Sequence, residues 1–98
     1  MVKYRLTPAA KTDLQEIWNY TCDIWGENKA EQYLLHIESK INLLAENPEL
    51  DRSRPEIKED YFSFLAEKHI IFHIKAKKHI QIIAVLHGKM DINKQLLM

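Results

Sequence analysis

Residues 61–87, YFSFLAEKHIIFHIKAKKHIQIIAVLH, decide the fold. Tyr61 to Ala66, Lys68 to Lys75 and His79 to His87 are runs rich in Ile, Phe and Val, the side chains that suit a pleated, half-buried surface. Between them stand only Glu67 and the segment Ala76-Lys77-Lys78, room for tight turns and nothing longer. Three strands joined in this way form an antiparallel meander. Strict alternation puts Ile80, Ile82, Ala84 and Leu86 on one face of the last strand, and Gln81, Ile83, Val85 and His87 on the other. The preceding strand sets Ile70, Phe72 and Ile74 against His69, Ile71 and His73. Both faces are largely apolar, whereas a sheet with one wet face alternates cleanly. Two covers for the second face stand open: the chain's own tail together with ordinary central-strand burial, or a protein partner.

Upstream of the meander the apolar period becomes helical. Thr7-Pro8 opens a helix, Thr as N-cap and Pro at the first position, where its missing amide costs nothing. Ala10, Leu14, Ile17, Trp18, Thr21 and Trp25 follow the repeat, and Gly26 supplies a left-handed stop. Asn28 with Glu31 has the pattern of a capping box, and Ala30, Tyr33, Leu34, Ile37, Ile41 and Leu44 form the next stripe, ended by Asn47-Pro48. Helices joined by one or two residues run antiparallel, so residues 8–47 form a hairpin, with Trp18 and Trp25 expected as anchors against the sheet. Val2 to Leu6 reads as a short strand. Residues 48–60, PELDRSRPEIKED, make a polar connection with an extended piece expected near Ile57, and Asp91 is expected to cap a short terminal helical turn. The order β-α-α-β-β-β is an α+β fold: an N-terminal strand and an antiparallel helical hairpin packed on a mostly antiparallel sheet, in one domain over 1–98.

The chain has 98 residues, 46% apolar and 29% charged, which suits one soluble domain and excludes disorder. Cys22 is the single cysteine, so a disulfide framework or thiolate metal site is ruled out and a reducing cytoplasm is expected. No run approaches the ~20 apolar residues of a membrane span. The 14 bases balance the 14 acids, yet residues 1–49 carry net −3 and residues 68–98 net +5. That asymmetry fits an acidic partner at the C-terminal half, or lysines that keep strand edges from aggregating.

Chemistry has little to work with. His69 and His73, four apart on a strand, are ~13 Å distant and cannot share a metal. His87, beside Gly88 and Asp91, reads as a histidine at the edge of the core, and Cys22 as a small apolar filler. There is no nucleophile elbow, phosphate-cradling glycine loop or paired-carboxylate motif, and no metal or cofactor is expected. Cleavage of RNA needs a base, an acid and cations on the phosphate. Only Arg5, Arg52 and Arg54 are arginines, and no aromatic follows Phe72. His87, Lys89 and Lys75 would be a thin catalytic set.

Taken together, YRLTPAAKTDLQEIWNYTCDIWGENKAEQYL, LAENPELDRSRPEI, KHIIFHI and IAVLHGKMDINKQL resemble the ParE toxins of the RelE/ParE superfamily, in order and spacing over nearly the whole chain. The resemblance implies the toxin of a type II toxin–antitoxin system that poisons DNA gyrase, traps its cleaved-DNA intermediate and is not an enzyme. It implies neutralisation by a ParD-like antitoxin that folds along the apolar surface, with promoter DNA bound through the antitoxin alone. Ala84 stands where many such sequences have an arginine before LH, and Asp51 where a glycine is frequent before Arg52. The alternatives are a ribosome-dependent mRNA interferase of the RelE kind, or a fold that keeps antitoxin binding without toxicity. Candidate gyrase contacts are Arg52, Arg54, His87, Lys89 and Asp91. Candidate antitoxin contacts are Tyr20, Ile24, Ile71, Ile83 and Val85.

Overall fold

The computed structural model describes residues 3–89, so Val2 and the expected terminal turn at Asp91 lie outside the described residues. Strand β1 (Tyr4–Leu6) leads into α1 (Pro8–Trp25) and α2 (Glu27–Glu46), then a 3-10 turn (Pro48–Leu50), β2 (Arg52–Ser53), β3 (Phe62–Ala66), β4 (His69–Lys75) and β5 (Ile80–His87). The sheet order is β1-β5-β4-β3-β2, with β1 parallel to β5 and every other pair antiparallel. The expected α+β architecture is the one observed, with one added edge strand, β2. The extended piece lies at Arg52–Ser53, five residues before Ile57.

Thr7 caps α1 through its hydroxyl, which accepts from the Ala10 amide at 3.1 Å. Gly26, at φ 91°, ends α1 with its amide on the Cys22 carbonyl, and its own carbonyl accepts from Ala30 as α2 begins. One residue thus serves both helices, and no side chain caps α2, so the Asn28–Glu31 capping box does not form. The β3–β4 turn places Glu67 in the left-handed region, φ 58°.

A bulge corrects the expected face assignment. Phe72 pairs with Ala84 but His73 pairs with Ile82, so Ile83 has no partner on β4 and the alternation slips there. Ile80, Ile82 and Val85 consequently share the helix-facing side with Ile71, and pack there on Ile17, Ile37, Ile41 and Leu44. Ala84 and Leu86 turn to the opposite side, where Phe72 and Ile57 complete a second, smaller core. Backbone groups at and after the bulge are held from the start of α1: its N-cap Thr7 donates its hydroxyl to the Ile83 carbonyl at 3.1 Å, and the Val85 amide donates to Asp13 at 3.0 Å. Burial pushes the Asp13 carboxyl up, while the Val85 amide pulls it down.

Candidate functional site

Two regions of the surface gather the features expected of a binding protein. The first is the tip of the helical hairpin. The Tyr33 hydroxyl meets His69 at the end of the sheet, and six residues of α2 precede it, so the tip overhangs by ~9 Å at 1.5 Å per residue. With nothing beneath them, Tyr20, Ile24 and Trp25 are 67%, 55% and 68% exposed. Tyr20 and Ile24 are therefore surface residues, as a partner contact requires. Trp25 corrects the expectation of a core anchor, because α1 has outrun the sheet before reaching it. Trp18 is half-buried in an apolar groove of about 210 Å³ shared with Leu14, Leu34 and Leu35 and edged by Glu31 and Glu38.

The remaining apolar candidates divide differently. Ile71 and Val85 are buried beneath the hairpin, so they belong to the core and are unavailable to a partner. The missed bulge is the cause for Val85, which strict alternation had placed on the open side. Ile83 is half-buried at the bulge itself.

The second region is polar and is split across the sheet. Arg52 is exposed on the outer edge, and its side chain makes no hydrogen bond or ion pair among the described residues. Arg54 is committed internally. Its Nε donates to Glu56 at 2.6 Å, its Nη1 donates to Ser63 Oγ at 3.2 Å, and its guanidinium lies 5.7 Å from the centre of the Phe72 ring. The same guanidinium holds the Glu56 carboxyl below its usual range. His87 ends β5, three strand spacings or ~14 Å across the sheet from β2. Its Nδ1 accepts from the Lys89 amide at 3.1 Å, and Lys89 is exposed. Arg52 and His87 are thus not brought to one point, and Asp91 lies outside the described residues.

Two polar clusters escaped the sequence reading. At the sheet's end the Tyr33 hydroxyl lies 2.6 Å from His69 Nδ1 and accepts from the Lys68 amide at 3.1 Å. His69 packs edge-on against His87, ring centres 5.2 Å apart, and its pKa is lowered to about 4, first by burial and then by His87. It is therefore neutral at pH 7, and its Nδ1 shares a hydrogen bond with the Tyr33 hydroxyl. At the opposite end His73, fully buried, lies 2.9 Å from Asp51, which also pairs with Lys75 at 3.2 Å. A tyrosine on one apolar stripe and a histidine opening a strand are individually unremarkable, and only the register joins them. Among the described residues, no three His, Cys, Asp or Glu side chains are grouped to hold a metal ion, and no helix is long and apolar enough to cross a membrane.

The family described as "ParE toxin of type II toxin-antitoxin system, parDE" matches residues 4–92. Toxin ParE1 of Mycobacterium tuberculosis (strain H37Rv) is 38% identical over 95 residues, covering 96% of this chain and 97% of that protein. Toxin ParE1 of Caulobacter vibrioides is 30% identical over 96 residues, covering 98% and 99%. A solved structure described as the chromosomal ParDE TA system from P. aeruginosa shares the fold, with a TM-score of 0.77 at 20% identity over 89% of this chain and 96% of that one. A family match over nearly every described residue, two relatives aligned end to end and a common fold lead to one conclusion: the chain belongs to the ParE toxin family of type II toxin–antitoxin systems.

Proposed function

We propose that this toxin acts on DNA gyrase without chemistry of its own, and that a ParD-like antitoxin neutralises it by covering the overhanging hairpin tip. The observation that carries the reading is the family match over residues 4–92. The tip supports the antitoxin half: Tyr20 and Ile24, one turn apart, and Trp25 at the end of α1 expose apolar area of the kind that marks a protein contact, with Asp23 and Glu27 close in sequence. Of the candidate gyrase contacts, Arg52, His87 and Lys89 present free surface, while Arg54 serves the fold. For RNA cleavage the Tyr33–His69 pair is no source of a general acid, because the His69 ring stays neutral to about pH 4.

The test uses the purified full chain with gyrase, relaxed plasmid and ATP. Supercoiling should be inhibited, cleaved DNA should accumulate, and added antitoxin should reverse both. Folded protein that leaves gyrase untouched but cuts mRNA on translating ribosomes would reject the proposal in favour of the interferase.

A further inference from the structure

Asp51 is where three parts of the fold meet. It follows the 3-10 turn, immediately precedes Arg52, and its side chain is only 7% exposed. A single oxygen, Oδ2, lies 2.9 Å from His73 Nε2 and 3.2 Å from Lys75 Nζ, both on β4. Phe62 of β3 stacks on the His73 ring, centres 5.8 Å apart at 27°, and Lys75 Nζ sits 4.2 Å from the centre of the same Phe62 ring. Phe62 is also the cross-strand partner of Ser53, so the cluster grips β2 from the residue before it and from its neighbour on β3.

The edge strand needs that grip. It has two residues, paired as Arg52 with Ser63 and Ser53 with Phe62, and a ladder this short opens readily on its own. Further along, Arg54 is tied by its amide to the Tyr61 carbonyl at 2.8 Å and by its side chain to Ser63. Before Arg52, the Asp51 carboxylate is the corresponding tie. His73 has no substitute for it: its Nδ1 is buried without a partner, so losing Asp51 leaves both ring nitrogens unsatisfied in the interior.

We infer that Asp51, through His73 and Lys75, is the positioning residue that fixes the edge strand and presents Arg52 to the toxin's target. The part about the target rests on the function proposed above, while the part about the strand stands on the contacts alone. Three variants separate the contributions. Asp51→Ala removes every contact of the carboxylate, Asp51→Asn keeps an oxygen for the His73 N–H but no charge, and Lys75→Met removes the half-exposed ion pair together with the ammonium's contact on the Phe62 ring.

Amide exchange along the whole chain reads the strand, and gyrase inhibition reads Arg52. In Asp51→Ala, exchange at Arg52–Arg54 should rise at least tenfold relative to α1 and α2, with gyrase inhibition weakened as much as in Arg52→Ala. Asp51→Asn should recover most of both, and Lys75→Met should loosen the strand about threefold. Should Asp51→Ala fail to fold, the Asn and Met variants carry the comparison. Unchanged exchange at Arg52–Arg54, or loosening shared equally with the helices, overturns the positioning role. An Asn variant no better than Ala overturns the part assigned to the His73 hydrogen bond. Wild-type protein inert towards gyrase rejects the target reading alone, and the exchange comparison then decides the positioning by itself.

Discussion

Two histidines packed into the fold set how the molecule responds to acid. His69 is held at about 4 by burial, with His87 close by, and His73 is lowered from the ordinary 6.5, chiefly by burial and against the opposing pull of Asp51. In each the folded chain prefers the neutral ring: burial and His87 disfavour charge on His69, and a second proton on His73 would sit at a buried nitrogen with nothing to receive it. Unfolding returns both rings to the ordinary value, so below it the unfolded chain binds more protons than the folded one. Stability is therefore full above about pH 6.5 and falls as the pH drops toward 4. Urea unfolding midpoints across pH 4 to 8 check this. His69→Gln, with no ring to protonate, should flatten the decline, and an unchanged slope would remove His69 from the account. None of this was legible in the sequence, where His69 and His73 are spaced too far apart to interact. Each finds its partner on an element distant along the chain, Tyr33 on α2 and Asp51 before β2.

The elements themselves were largely legible, because their signals are local. Thr7-Pro8, Gly26 and Asn47-Pro48 mark the helix ends, and the β-branched runs mark β4 and β5. What the sequence hid was the bulge: Ile83 sits in an unbroken apolar run with no glycine or proline to betray it, yet it reverses which side chains of β5 face the hairpin. The cover of the second face was hidden for a similar reason. Ile57 looked like part of an extended piece in a polar connection, and it is a plug instead, 4% exposed against Phe72, Ala84 and Leu86. The loop holding it is closed by the Ile57 amide on the Arg54 carbonyl at 3.1 Å and the Tyr61 amide on the Lys58 carbonyl at 3.1 Å. The chain thus covers the centre of its own second face, where a partner had been an open expectation. Ile57→Ala should cost about 3 kcal/mol, since it opens a cavity beside a fully buried phenylalanine. Denaturant unfolding measures it, and a cost below about 1 kcal/mol would mean that the loop collapses onto the gap and that Ile57 is no plug.

At the scale of the whole molecule, the seating of the hairpin on the sheet creates the surface that the sequence could not place. Helices of 18 and 20 residues are joined by a single glycine and anchored over a sheet whose longest strand has eight. At 1.5 Å per helical residue against ~3.3 Å per strand residue the helices and the longest strand are about equal in length, so what the tip exposes is set by where the hairpin sits along the sheet. A helical repeat places Ile24 seven residues after Ile17, on the same stripe, with Tyr20 at its flank, and it does not reveal that Trp25 lies past the sheet's end, because that depends on where α2 meets β4. The projecting tip carries aromatic and aliphatic area with acids at its margin, so its complement is an apolar segment flanked by bases. Replacing Tyr20, Ile24 and Trp25 together with serine should weaken binding of the ParD-like antitoxin at least tenfold, because exposed aromatics of this kind dominate interface energy. The unfolding midpoint should barely move, since each of the three is more than half exposed and leaves no cavity when truncated. Calorimetric titration of antitoxin into wild-type and triple-variant toxin, beside denaturation of both, reads the two effects separately. Equal affinities would move the antitoxin off the tip and onto the groove lined by Leu14, Trp18, Leu34 and Leu35, the other apolar surface of the hairpin.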